Sequence, residues 1–244
     1  MGMNHFGEID HLASIAEPDV AVITNIGMSH IENLGSQEGI FKAKMEITNR
    51  FTKNNTLIVN GDDKFLSHTK GMGDYKVVYY GINNPENDVY AKDINDKGID
   101  GIDFTAVVEG KEYKVEVNNA GIHNVYNALA AICTGMEFSI DIEDCIEGIK
   151  KCEYTAMRME ISRINGMTVI NDCYNASPDS IKAALAVLGT TECKRKIAIL
   201  GDVLEMGDFA QKAHYELGKA VVDNGIDVLI TAGGNAAYIA RGAK

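Results

Sequence analysis

Apolar and polar positions alternate in blocks along the 244 residues, and the blocks are of two kinds. Continuous apolar runs bounded by polar loops fall at 19–25 (DVAVITN), 55–63 (NTLIVNGDD) and 76–82 (KVVYYGI), the pattern of strands buried on both faces of a parallel sheet. The first run, from Val20 to Ile26, leads through a loop carrying His30 and Glu32 into a predicted helix starting near Gln37. Ser36 is placed to cap that helix and Glu38 to sit in its first turn. At about 100° per residue Ile40, Ile47 and Phe51 share a face, widened by Phe41, Met45 and Thr48. Lys42, Glu46, Asn49 and Lys53 make the solvated side, but Lys44 falls inside the apolar stripe. Periodicity alone favours a snorkelling stem with the ammonium at water. The other reading is a buried amine, which needs a partner, a modification or a depressed pKa.

Before this region, 2–16 reads as a loop and a short helix with Ile9, Leu12, Ala13 and Ala16 on one side. From 87 to 117 three short strands (DVYAKDI, IDFTAVV, YKVEV) predict an antiparallel flap, the last two joined by EGKE. Helices are predicted at 123–136 (Val125, Leu129, Ile132, Met136) and 140–150 (Ile142, Cys145, Ile146, Ile149). The pattern lapses at 152–157, which predicts a boundary between domains at 1–155 and 156–244. Beyond it come a hairpin turning at Asn165-Gly166, a helix capped by Ser177 with Pro178 at its first position, the strand KIAIL, the helix FAQKAHYELGKAVVDNG and the strand DVLITAG. The expected fold is α/β, a mostly parallel central sheet with an antiparallel flap followed by a Rossmann-like α/β domain. In the second domain Asp172, Gly201, Asp202 and Gly233 gather at strand carboxyl ends, where such sheets bind ligands. Both ends read as cut, so the chain is expected to be a piece of something longer.

Composition narrows the chemistry. A net charge of -12 argues against sequence-independent nucleic-acid binding. No run of apolar residues is long enough for a membrane span, and the N-terminus lacks a signal-peptide pattern. Five cysteines without a C-x-x-C read as reduced thiols in a cytoplasmic protein, not as a zinc site or disulfide framework.

The candidate polar residues are weak singly. Asn124 and Asn127 lie three apart at the start of a helix, where amides could meet adenine or simply cap. His30 and Asp172 follow strands, as ligand-binding or as structural residues. Glu205 and His214, flanking a helix of the second domain, are individually uninformative.

Their order is informative. TNIGMSHIENLGS, AKMEI, HNVYNALAA, MRMEI, NDCYNASPDS and LGDVLEMGDFAQKAH occur in the succession seen in the Mur ligases, and the chain resembles that family over essentially its whole length. The opening MGMNHFGEI and the absence of a D-N-P-R signature resemble the member that joins D-alanyl-D-alanine to UDP-N-acetylmuramoyl-tripeptide, expected here as substrates together with ATP. The resemblance implies that His30 and a carbamylated Lys44 hold magnesium. It also implies that Asn124 and Asn127 contact adenine, that Arg158 reaches the ATP phosphates and that Asp172 holds the ribose. By the same resemblance, Asn4, Tyr174 and Asn175 contact the other substrates, with Lys44, His30 and Arg158 as the catalytic set. Such an enzyme is cytoplasmic and is expected to be a monomer. The family's G-x-x-x-x-G-K-[ST] phosphate loop, its nucleotide-binding N-terminal domain and the glutamate preceding M-G-M-N are not in this sequence, so the piece alone is expected to be inactive. The alternative is a non-catalytic binding or scaffold module derived from a Mur ligase. NDCYNASPDS speaks against neighbours such as folylpolyglutamate synthase or cyanophycin synthetase.

Overall fold

The computed structural model describes residues 1–153 and 155–244; Tyr154, inside the expected boundary stretch, lies outside the described residues. The chain divides into two compact units, one of residues 1–95, 103–117 and 123–151, the other of 96–102, 118–122 and 152–244.

In the first unit, β1 (Val20–Ile23), β2 (Thr56–Asn60), β3 (Lys76–Ile82), β4 (Val89–Asp96), β5 (Ile102–Val108) and β6 (Lys111–Val117) form one six-stranded sheet in sequence order. β1 to β4 run parallel. Leu57, Ile58 and Val59 of β2 are fully buried, as the unbroken apolar run requires of a strand covered on both faces. The first strand of the expected flap thus belongs to the parallel run, since β4 pairs with β3 through Tyr80–Val89, Gly81–Tyr90 and Ile82–Ala91. The β5–β6 connection reverses tightly. Glu109 and Gly110 both have positive φ (50° and 76°), the geometry of a two-residue hairpin turn.

Helix α1 spans Glu8–Ala16, α2 Ile31–Leu34, α3 Gln37–Met45, α4 His123–Glu137 and α5 Ile142–Lys150. The α4 stripe of Val125, Leu129 and Ile132 is buried and packs on β1, β2 and β3. In α1 only Ile9 and Ala13 are buried, while Leu12 is exposed. Its N-terminus has no side-chain cap of its own. Glu46, just beyond α3, supplies one from a distance: its carboxylate accepts from the Gly7 N–H at 2.8 Å and the Asp10 N–H at 3.3 Å. Arg50 pairs with Asp10 at 2.8 Å, completing the bond between α1 and the Lys44 helix.

The second unit holds the antiparallel hairpin β7 (Glu160–Ile164) and β8 (Met167–Asn171), turning through Asn165 and Gly166. It also holds the parallel pair β9 (Ile197–Gly201) and β10 (Val228–Ala232), with α6 (Pro178–Thr190), α7 (Ala210–Asp223) and α8 (Ala236–Gly242). Ser177 and Ser180 cap α6 reciprocally with Pro178 at its start. Ala120, Met159 and Val187 pack together in this unit's core, so the 118–122 segment belongs to it despite its position in the chain.

The glycines of α3 and α5 have opposite surroundings. A Cβ on Gly39 would lie 2.0 Å from the Leu34 carbonyl oxygen, whereas one on Gly148 meets nothing within 4 Å. Gly39→Ala should therefore cost about 1–3 kcal/mol by forcing α3 from α2. Gly148→Ala should stabilise by roughly 0.5–1 kcal/mol. Urea unfolding of the two variants checks both signs.

Candidate active site at the strand carboxyl ends

β1 ends at Ile23, three residues before the apolar run does. The reason lies in β2's exit loop. Asp63 Oδ2 accepts the Ile26 N–H at 2.8 Å, so that amide is turned away from the ladder. Gln37 Nε2 donates to the Ile26 carbonyl at 3.0 Å, and Lys44 Nζ donates to the Asn25 carbonyl at 2.7 Å. Ser36 caps α3 by accepting from the Gly39 N–H at 3.1 Å, which fixes the helix on which Gln37 and Lys44 ride.

Lys44 is therefore half-buried, and its amine is bonded to the loop through a contact that stays open to solvent. Burial pushes its amine below the usual lysine range, and the nearby Asp63 carboxylate opposes that shift without cancelling it. His30 lies on the same loop, at the start of α2, with φ of 64°. That left-handed conformation is uncommon outside glycine, and marks the residue as set by its surroundings. Magnesium prefers oxygen ligands, and the imidazole of His30 and the amine of Lys44 provide none. Among the described residues no group of three or more His, Cys, Asp or Glu forms a metal cluster. A half-buried amine with a lowered pKa is nonetheless the chemistry that carbamylation requires, and the product would present two oxygens beside the His30 loop. The residues fit magnesium in that form.

On α4, Asn124 is half-buried and Asn127 exposed, and Asn127 Nδ2 donates to Asn124 Oδ1 at 3.1 Å. Between them Tyr126 donates its hydroxyl to Asp62 Oδ2 at 3.1 Å. Burial, with the Asp62 carboxylate beside it, pushes the Tyr126 phenol up to about 12. Asn4 is exposed in the loop before α1, its N–H held by Glu8 at 2.6 Å.

The second unit brings Arg158, Asp172 and Tyr174 together. The Arg158 guanidinium lies 4.4 Å from the centre of the Tyr174 ring. The Tyr174 N–H donates to the Met157 carbonyl at 3.2 Å, and Asp172 Oδ1 accepts the Met159 N–H at 3.0 Å. Asp172 is thus a cross-strand brace and not the cap of α6, a place Ser177 fills. Asn175 makes a local bond to the Ala176 N–H. Asp202 is satisfied by the Gly234 and Ala236 N–H groups at the start of α8. His214 is structural: fully buried, it accepts the Val203 N–H at Nε2 and donates from Nδ1 to the Ala210 carbonyl. Sequence reasoning singled out none of Asp62, Asp63, Gln37 or Glu46 as site-building groups. The D-D pair closing a buried strand was the available signal.

The Mur ligase middle domain pattern matches residues 1–135, and the pattern described as "Mur ligase, glutamate ligase domain" matches 157–244. The chain belongs to the Mur ligases. It is 40% identical over its full length to the UDP-N-acetylmuramoyl-tripeptide–D-alanyl-D-alanine ligase of Bacillus subtilis (strain 168), covering 52% of that protein. To the ligase of the same name from Escherichia coli (strain K12) it is 29% identical, over 96% of this chain and 52% of the relative. A crystal structure of MurF from Acinetobacter baumannii superposes with a TM-score of 0.92 at 29% identity, over 99% of this chain and 52% of that one. The chain thus spans about half the length of the Mur ligases it matches, and in fold it is a Mur ligase segment of α/β class. Among the described residues no helix is long and apolar enough to cross a membrane.

The lowered Lys44 pKa has a direction that can be measured. The folded state releases the Lys44 proton at a lower pH than the unfolded chain, whose lysines titrate near about 10.4. Stability should therefore rise with pH between the depressed value and the ordinary one, and Lys44→Met should remove that rise. Denaturation across alkaline pH, with NMR titration of the lysine side chains, checks it. Titration of Lys44 at the ordinary value would contradict it.

Proposed function

We propose that the chain is the middle domain (1–155) and much of the C-terminal domain (156–244) of an ATP-dependent ligase that joins D-alanyl-D-alanine to UDP-N-acetylmuramoyl-tripeptide, a step of peptidoglycan precursor synthesis in the cytoplasm. The observation that carries this reading is Lys44 of A-K-M-E-I, a half-buried, bonded amine delivered to the loop that bears His30. The names of the relatives support the substrate assignment.

In the proposed reaction ATP transfers its γ-phosphoryl group to the terminal carboxylate of the tripeptide, giving an acyl phosphate and ADP. The dipeptide amine then attacks the acyl carbon. The tetrahedral intermediate loses phosphate as the C–O bond breaks, leaving the new amide after the nitrogen gives up a proton. Asn124 and Asn127 offer donor and acceptor edges to adenine, and Asp172 takes ribose hydroxyls. Arg158 supplies a fixed positive charge for the phosphates. Asn4 faces the muramoyl substrate, and Tyr174 and Asn175 the dipeptide. His30 and carbamylated Lys44 would hold magnesium, which when bound offsets charge on phosphoryl oxygens. The enzyme acts as a monomer.

In the complete ligase, Lys44→Ala should abolish turnover, and short carboxylates should restore part of it by replacing the carbamate oxygens. Near wild-type turnover in the alanine variant would contradict the role.

The isolated chain has the adenine and ribose contacts without a phosphate loop. Calorimetry should show it binding adenosine about as well as ATP. Micromolar affinity that depends on the γ-phosphate would contradict the assignment.

A further inference from the structure

The two carboxylates that close β2 point opposite ways. Gly61 and Gly81 let the ends of β2 and β3 close on the buried Asn87: a Cβ at Gly61 would lie 2.0 Å from Asn87 Oδ1, and one at Gly81 2.3 Å from Asn87 Nδ2 and 2.6 Å from Asp62 Oδ1. In that space Asp62 Oδ2 accepts from the Ile82 N–H at 2.5 Å and from the Tyr126 hydroxyl at 3.1 Å, and Oδ1 accepts from Asn87 Nδ2 at 3.4 Å. Asp63 turns to the other side. Its Oδ1 accepts the Phe65 and Leu66 N–H groups at 2.9 and 3.1 Å, and its Oδ2 the Ile26 N–H at 2.8 Å.

We propose that Asp62 and Asp63 are paired positioning residues, Asp62 setting the adenine-facing turn of α4 and Asp63 setting the loop that joins Lys44 to His30. Tyr126 stands between Asn124 and Asn127, so the Asp62–Tyr126 bond fixes the turn from which both amides project. Ile26 stands next to Asn25, whose carbonyl receives Lys44, and four residues before His30. A carboxylate suits both tasks because each has to accept several donors at once, and ionised acceptors bind about twice as strongly as neutral ones. Adjacent positions on one strand end make the two sides share a single rigid reference. The inference rests on the adenine and metal roles proposed above for Asn124, Asn127, His30 and Lys44.

The test separates the two arms in the 244-residue chain. Adenosine binding is followed by NMR titration. Binding of manganese(II), a paramagnetic substitute for magnesium, is followed by electron paramagnetic resonance in bicarbonate buffer. Asp62→Asn and the milder Tyr126→Phe should weaken adenosine about tenfold and leave manganese within about twofold. Asp63→Asn, which keeps one acceptor for the Phe65 and Leu66 amides, should do the reverse. Loss of a supporting hydrogen bond around a metal site typically costs 10–100-fold in affinity. Circular dichroism checks that each variant is folded, and Tyr126→Phe, lacking only a hydroxyl, keeps the adenine arm decisive. Equal losses of both probes in every variant, or no loss in any, would overturn the positioning roles while leaving the site assignments standing. A wild-type chain that binds neither probe would bring down the site assignments and the positioning roles with them.

Discussion

The backbone at Asn25 and Ile26 is held by three side chains, and the arrangement at the carboxyl ends of β1 and β2 depends on it. Lys44 takes the Asn25 carbonyl, Gln37 takes the Ile26 carbonyl and Asp63 takes the Ile26 N–H. Each bond draws in a different part of the chain: two positions of α3, and the exit of β2. A loop after a parallel strand has no ladder to hold it, so its polar groups must find partners elsewhere or face water. Here the partners are side chains whose own placement is fixed by a capped helix and a fully buried strand. The start of the loop bearing His30 is therefore anchored to both α3 and the exit of β2.

The same bonds explain Lys44. Its stem lies in the apolar stripe of α3, and its amine bonds the Asn25 carbonyl of the loop. Burial lowers the pKa, and the neutral amine is the form that reacts with carbon dioxide. A lysine placed for solubility would be on the opposite face with Lys42. The anomaly in the hydrophobic pattern and the proposed chemistry have one cause.

Much of this architecture was legible in the sequence, where local signals were strong. Ser36 and Ser177 cap the helices they were expected to cap, and KVVYYGI is a strand over its whole length. The departures come from partners distant in the chain. β1 stops at Ile23 because Asp63, 37 residues after Ile26, takes an amide that the apolar run alone assigns to a strand. β4 runs parallel to β3, a direction that no feature of its own residues encodes. Glu46 reads as a solvated charge on α3 yet caps α1 across 39 residues. Asp172 does not cap α6 as a carboxylate before a helix could, because it is bonded across the hairpin to Met159. Cys133 is quiet for a plainer reason: burial pushes its thiol up to about 12, away from nucleophilic use.

On the function proposed above, the half-buried amine of Lys44 is there to become a carbamate. Carbon-13 NMR of the chain equilibrated with labelled bicarbonate and magnesium addresses it directly, because a carbamate carbon is distinct from free bicarbonate. The predicted result is one protein-bound carbamate resonance, present in the wild-type chain and lost in Lys44→Met. A wild-type chain with no such resonance, or a resonance that survives in Lys44→Met, would contradict the claim.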